Sequence, residues 1–252
     1  MSGDQIQVSR DGAVMTVTIA NEAKRNAMGT AALDRIDALA DEIAADADIR
    51  AVILTGAGDK AFTSGFDLDE LSDFKPENFL QSRFSEAFEK WARLPVPVIG
   101  ALNGHCMGGG VHVAVICDVL VSVPGVRFMI PAARFGFVYN PASVRRIAAA
   151  LGASRATKLL YLNQECVAEE LVSRGFVHRI VPGNELMQAA REIAERASVL
   201  APFSVAAMKE IVRESPDPAR VEELVRRCAY SEDVVEGLAA IREKRSPNFK
   251  GR

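Results

Sequence analysis

No apolar stretch of this 252-residue chain continues for the roughly 18 residues that a membrane-spanning helix needs. The first residues, Met1 to Arg10, are polar and include Asp4, which is not the pattern of a secretory leader. A dominant charge is missing as well: 30 Lys and Arg stand against 33 Asp and Glu, a net charge of -3. Without a broad cationic surface, neither nucleic acid nor a membrane is expected as a partner. The four cysteines, Cys106, Cys117, Cys166 and Cys228, contain no CxxC pair, so neither a metal site nor a redox motif is expected. Scattered cysteines in a chain of this size read as reduced and inert, which makes cytoplasm the expected location.

Several catalytic signatures are also lacking. There is no G-x-x-x-x-G-K-[ST] for a phosphate loop and no G-x-S-x-G for a serine-hydrolase elbow. Gly108, Gly109 and Gly110 do not complete G-x-G-x-x-G, and no acidic residue follows about 20 positions on to hold a ribose. Histidine is scarce too: only His105, His112 and His178 are present.

What is present is an ordinary globular composition, 49% hydrophobic and 25% charged. The first half alternates strand-like and helix-like patterns. "AVMTVTIA" (Ala13 to Ala20), "AVILTG" (Ala51 to Gly56), "PVIGAL" (Pro97 to Leu102), "DVLVSV" (Asp118 to Val123) and "VRFMI" (Val126 to Ile130) read as strands. Leu33, Ile36, Leu39 and Ile43 recur at helical spacing, with Thr30 as the predicted N-cap. "FSEAFEKWARL" predicts a helix that stops before Pro95 and Pro97. Strands alternating with helices imply an α/β fold with right-handed crossovers and a largely parallel sheet. From Pro141 onward helices predominate, interrupted by the strand-like "GFVHRIV" (Gly175 to Val181). The expected organisation is an α/β core over 1–195 and a helical assembly region over 196–252.

Two turns draw notice, Ser64-Gly65-Phe66-Asp67 and Gly108-Gly109-Gly110. At the carboxyl ends of parallel strands they would lie where ligands collect. If each starts a helix, each leaves main-chain N–H groups free, and two such groups converging would form an oxyanion hole. The other reading is a pair of ordinary helix starts.

The ordered set "KRNAM" (Lys24 to Met28), "AFTSGFDLDEL", "PVPVIGALNGHCMGGG", "CDVLV" and "GLAAIREKRSPNFKG" resembles the crotonase, or enoyl-CoA hydratase/isomerase, superfamily along nearly the whole chain. That resemblance implies the crotonase (ClpP-like) spiral fold of repeated ββα units, closed by a C-terminal helical trimerisation region. It implies an acyl-CoA thioester as ligand, with no cofactor beyond the CoA moiety, and a homotrimer or dimer of trimers. Carried over position by position, the oxyanion-hole donors would be the N–H groups of Phe66 and Gly109. Main chain at Lys24, Arg25 and Ala27 would line the path of the CoA, and Ser64, Asp67 and Ala132 would border the substrate. Lys244 matches a lysine that approaches a CoA phosphate from a neighbouring subunit, although a solvated charge is an equal reading.

The pattern breaks at the two hydratase glutamates. One position is His112, and the other, in "FMIPAARFG", is Ala132. Hydration needs a group that activates water and an acid that delivers a proton, and alanine does neither. "FMIPAARFGFVYN" is similar to methylmalonyl-CoA decarboxylases, in which a tyrosine before asparagine faces the acyl group. Tyr139 takes that place here. The candidate catalytic residues are therefore His112, an imidazole poised near neutrality, and Tyr139. His105 and His178 read as structural, and Asp67 as a brace for its turn. Arg145 and Arg146 read as solvated or subunit contacts, or as partners of a carboxylated substrate. Three functions stay open: an enolate-type enzyme of the hydratase/isomerase group, an acyl-CoA decarboxylase, and a non-catalytic acyl-CoA binder.

Overall fold

A computed structural model describes residues 5–71, 83–214 and 216–252. The segment expected to shape the acyl pocket, 71–84, lies mostly outside the described residues.

Two sheets run through the core. The larger joins β1 (Ile6–Asp11), β2 (Val14–Ile19), β3 (Ala51–Gly56), β5 (Val98–Leu102), β7 (Val119–Ser122) and β10 (Arg179–Ile180), in that spatial order. Only the β1–β2 pair is antiparallel; the others are parallel. The smaller sheet joins β4 (Ala61–Thr63), β6 (His105–Met107), β8 (Arg127–Met129) and β9 (Cys166–Val167). Here β4, β6 and β8 are parallel. Successive units thus place one strand in each sheet and then a helix. β3 and β4 precede α2 (Arg83–Ala92), and β5 and β6 precede α3 (Gly109–Ile116). β7 and β8 precede α4 (Pro141–Leu151), which makes the expected ββα repeat.

The central strands are apolar because both faces of the large sheet are covered. Val52 and Leu54 of β3 face the main core, packed with α1 (Thr30–Ala45) and α2, while Ala51 and Ile53 face the other side. There α7 (Leu186–Ser198) lies on the sheet through Leu186, Ala189, Ala190 and Ala194, and residue 195 falls inside this helix. The first helix is locked to α2 by the Trp91 indole, which donates to the Ile36 carbonyl at 2.8 Å.

Several local expectations need correction. The N-cap of α1 is Gly29, not Thr30. A carboxylate from a distant turn does the capping, since Glu70 Oε2 accepts from both the Thr30 N–H and its hydroxyl at 2.7 Å. The triple glycine does not follow β5 directly, because β6 intervenes. Only that turn starts an α-helix; the Phe66 turn runs into a 3-10 segment, Leu68–Leu71. β1 was not expected because five of its six residues are exposed and polar patterning hides it. Strands of two or three residues, such as β4, β6 and β9, are too short to show a period. Asn140 does cap α4, accepting from the Ser143 N–H at 2.8 Å, with Pro141 next.

The C-terminal helices are α8 (Pro202–Glu214), α9 (Pro218–Ala229) and α10 (Glu232–Glu243). No described helix is long and apolar enough to cross a membrane. Asp118 fastens α8 to the core. Its carboxylate accepts from the Val98 N–H at 2.8 Å, from Lys209 Nζ at 2.7 Å and from Arg213 Nε at 3.1 Å. Removing the carboxylate strands two cations in a largely dry junction, which costs far more than losing an exposed pair. Asp118→Ala is expected to lower unfolding stability by about 3 kcal/mol. Urea titration checks this, and a loss below about 0.5 kcal/mol would contradict the role of Asp118 as the anchor.

Candidate active site

The site is made where β4 and β6 end. These are neighbouring parallel strands, so the turns that leave them emerge side by side. Contact between the turns is as close as backbone allows: a Cβ built on Gly65 would stand 2.6 Å from both the nitrogen and the Cα of Gly109. Gly65 has φ +91° and Gly108 has φ +55°, conformations that L side chains rarely adopt. A Cβ on Gly110 would collide with the Thr63 carbonyl oxygen. These glycines are required by approach as well as by dihedral.

The Phe66 N–H faces away from its own supporting strand. Met28 N–H donates to the Gly65 carbonyl at 2.8 Å, and Asp67 N–H donates to the Met28 carbonyl at 3.0 Å. Met28 and Phe66 thus form a parallel bridge, which turns the Phe66 N–H to the opposite side. That N–H makes no hydrogen bond to a described residue, and neither does the Gly109 N–H at the start of α3. A helix start leaves such donors open. Together the two donors suit an oxygen on which negative charge develops.

The "KRNAM" stretch buttresses the first turn. Arg25 and Asn26 both take left-handed φ, 56° and 57°, without being glycine. Such residues cost roughly 1–2 kcal/mol each, and local bonds must hold them. Buried Asn26 supplies these. Its amide donates to the carbonyls of Ala57 at 2.9 Å and Ala61 at 2.7 Å, and its side-chain oxygen accepts from the Asn21 N–H at 3.0 Å. The Thr63 hydroxyl donates to the Asn26 carbonyl at 2.6 Å and accepts from the Gly65 N–H at 3.0 Å. Ser64 docks on the same turn, its N–H donating to the Arg25 carbonyl at 3.0 Å. Asn26 and Thr63 were not singled out from sequence, although asparagine tolerates left-handed φ and so offered a signal.

Lys24, Arg25, Ala27, Ser64, Phe66 and Asp67 therefore form one block, with Gly109 against it. The Lys24 ammonium is held by Asp67 at 2.7 Å and Asp69 at 2.8 Å. These hydrogen bonds raise its basicity. Asp67 also accepts from the Asp69 N–H at 3.1 Å, so it does brace its turn. Lys244 is not brought to this block within one chain: it ends α10 in a left-handed conformation and is exposed.

On the far side of the glycine turn stand Tyr139 and Pro131. A Cβ on Gly108 would lie 3.8 Å from the Tyr139 hydroxyl and 4.0 Å from Pro131 Cδ. The hydroxyl makes no hydrogen bond to a described residue, and burial pushes the phenol above its usual range. Ala132, next to Pro131, is buried and brings no polar side chain.

His112 sits one turn into α3, 3% exposed. Its ring lies edge-on to Phe84, centroids 6.0 Å apart, and to Phe88, 6.4 Å apart. Nε2 is sealed from solvent without a hydrogen-bond partner among the described residues. Burial lowers its basicity to about 4, with Glu89 acting to raise it and Arg146 to lower it. The imidazole is therefore neutral rather than poised near pH 7. His105, by contrast, accepts from the Arg127 N–H through Nδ1 at 3.2 Å, a structural contact.

Comparison with known proteins covers nearly the whole chain. The family model "Enoyl-CoA hydratase/isomerase" matches residues 9–252. The chain belongs to the enoyl-CoA hydratase/isomerase family. It is 32% identical to the carnitinyl-CoA dehydratase of Salmonella typhi over 274 residues, covering 99% of each chain. It is 31% identical to "Probable enoyl-CoA hydratase echA8" of Mycobacterium tuberculosis over 258 residues, covering both chains completely. Among solved structures, an enoyl-CoA hydratase from Bacillus anthracis superposes with TM-score 0.89 at 29% identity, covering 98% of this chain and 100% of that one. An enoyl-CoA hydratase/carnithine racemase from Magnetospirillum magneticum gives 0.90 at 28% identity, covering 100% and 97%.

The neutral, buried His112 has a thermodynamic signature. An unfolded histidine takes up a proton near pH 6.5, whereas the folded one does so only near 4. Below about pH 6.5 the unfolded state thus binds more protons, and stability falls as pH drops toward 4. Between about pH 7 and pH 4.5 this one group is expected to cost about 2–3 kcal/mol. Denaturant titrations of the wild type and His112→Gln measure it. A pH-dependent loss of the same size in both proteins would contradict the assignment.

Proposed function

We propose that this protein binds an acyl-CoA thioester and stabilises the enolate formed beside its carbonyl, by a reaction other than two-glutamate hydration. The observation that carries this reading is the pair of unpartnered N–H groups, Phe66 and Gly109, on two turns in backbone contact. The relatives named as hydratase and dehydratase act on CoA esters by their names, which makes a CoA thioester the shared feature to carry over. With His112 and Ala132 at the two glutamate positions, no carboxylate is available there to activate water. The remaining polar groups are a neutral imidazole and a protonated phenol. His112 would orient the acyl group or take up a proton as negative charge develops on the thioester oxygen. Tyr139 would donate a hydrogen bond or a proton.

The protonated Tyr139 beside Gly108 favours one second reading, decarboxylation of a carboxyacyl thioester. That reaction needs no base: the bond to the carboxylate breaks, carbon dioxide leaves, and the electron pair moves onto the thioester oxygen held by the two N–H groups. The resulting carbon then takes a proton from Tyr139, which recovers one from water. The CoA path would run along Lys24, Arg25 and Ala27, with Ser64 and Asp67 at its edge. Lys244 of a neighbouring subunit would meet a phosphate. The exposed apolar side chains of Val212, Tyr230, Val235, Leu238 and Ile241 support assembly into a homotrimer or a dimer of trimers.

Exchange of the α protons of a bound acyl-CoA into deuterated water tests the reading. The wild type should exchange them, and His112→Ala or Tyr139→Phe should slow exchange at least about tenfold, the order expected for a positioned acid or base. Binding of CoA thioesters with neither exchange nor carbon dioxide release would make the protein a non-catalytic acyl-CoA binder. Failure to bind any CoA thioester would sink the proposal.

A further inference from the structure

The polar groups of the acyl site are backed by a charged pair that lies outside every motif. Glu89, one residue beyond Phe88 on α2, meets Arg146 of α4 in a two-pronged bond, Nη1 to Oε1 at 2.6 Å and Nη2 to Oε2 at 2.9 Å. The side chains are 20% and 16% exposed, respectively. Phe84 and Phe88, which cage the His112 ring, belong to the helix that carries Glu89. Arg146 belongs to the helix that begins two residues after Tyr139. One ion pair therefore ties the cage of one candidate group to the segment that delivers the other.

The pair also controls the charges behind the imidazole. Among the described residues, the elements packed most extensively on α3 are α2, β6, α4 and β4. β4 carries no titratable side chain, and β6 contributes only His105, engaged with Arg127, and Cys106, whose thiol burial pushes up. From α2 comes Glu89, with Arg93 just past its end acting on the carboxylate, and from α4 comes Arg146. Burial tends to raise Glu89, but the hydrogen bonds and charge of Arg146 outweigh it and keep the carboxylate ionised. A carboxylate behind a buried imidazole would draw a proton onto it if nothing opposed that charge. Arg146 opposes it.

We propose that Glu89 and Arg146 are positioning residues for the acyl site: the two-pronged bond fixes the phenylalanine cage of His112 relative to Tyr139, and Arg146 offsets the pull of the Glu89 carboxylate on the imidazole. This rests on the reading of His112 and Tyr139 as the groups that face the acyl carbon. An ordinary surface ion pair would contribute little and would leave the histidine indifferent to its loss.

The test is a titration of labelled histidine by NMR on the full-length protein, with the His112 signal assigned by its loss in His112→Gln. Arg146→Met should raise the midpoint of His112 by about one pH unit or more, as an uncovered neighbouring carboxylate does. Arg146→Lys, which keeps the charge, should hold it near the wild-type value. Glu89→Gln should move it the other way, and Glu89→Gln combined with Arg146→Met should return it close to wild type. The pH profile of α-proton exchange should follow the midpoint in Arg146→Met. Should that variant fail to fold, Glu89→Gln and the neutral double variant still decide the matter. A His112 midpoint that is the same in wild type and in every folded single variant would overturn the proposal. Normal shifts in titration without any exchange by the wild type would count against the proposed function alone. Exchange by the wild type with no shift in the variants would count against the couple alone.

Discussion

The contact between Gly65 and Gly109 constrains everything around it. Two backbones can lie this close only if neither residue carries a Cβ, and only if the strands that feed them are parallel neighbours. The larger sheet supplies that condition indirectly. Three of its strands, β3, β5 and β7, each hand the chain to a short strand of the smaller sheet, so the ends of β4 and β6 are set by a core of longer elements. Asn26 and Thr63 then fix the last few residues of the first turn, at the cost of two left-handed non-glycine residues. Strain of this kind persists only where surrounding bonds over-determine it, and here it lies under the Phe66 donor.

The electrostatic character of the site follows from what faces those donors. A site with two carboxylates is built to move protons to and from water. Around this one stand a histidine that burial keeps neutral, a phenol that burial keeps protonated, and an alanine. The donors themselves are uncharged N–H groups, one of them at the positive end of a helix. Negative charge developing on an oxygen before the two donors is the charge this arrangement favours, because the carboxylate of Asp67 beside them is held by the Lys24 ammonium. Glu89 and Arg146, farther along α2 and α4, are likewise paired with each other.

Much of this could be read from residue order, because the pattern is local. The glycine turns, the four longer strands β2, β3, β5 and β7, and the Asn140–Pro141 start of α4 all lie within short stretches. What could not be read was either too short or too remote. β4, β6 and β9 have two or three residues and no period to display. Glu70 reaches back 40 residues to cap α1, and Glu89 meets Arg146 across 57. Such pairings are decided by packing, not by neighbours in sequence. The state of His112 is a further case: the residue was visible as a candidate, but its neutrality follows from burial between two phenylalanines, and no spacing rule reports burial depth.

The central claim is that Phe66 and Gly109 direct their N–H groups at a thioester oxygen. Infrared difference spectroscopy of a bound acyl-CoA with a carbon-13 label at the carbonyl measures this directly, since hydrogen bonding to that oxygen weakens the C=O bond. The account predicts a carbonyl band shifted clearly to lower frequency on binding, retained in His112→Gln because the donors are main chain. A bound thioester whose carbonyl band matches that of the free ester in water or lies above it would contradict the account.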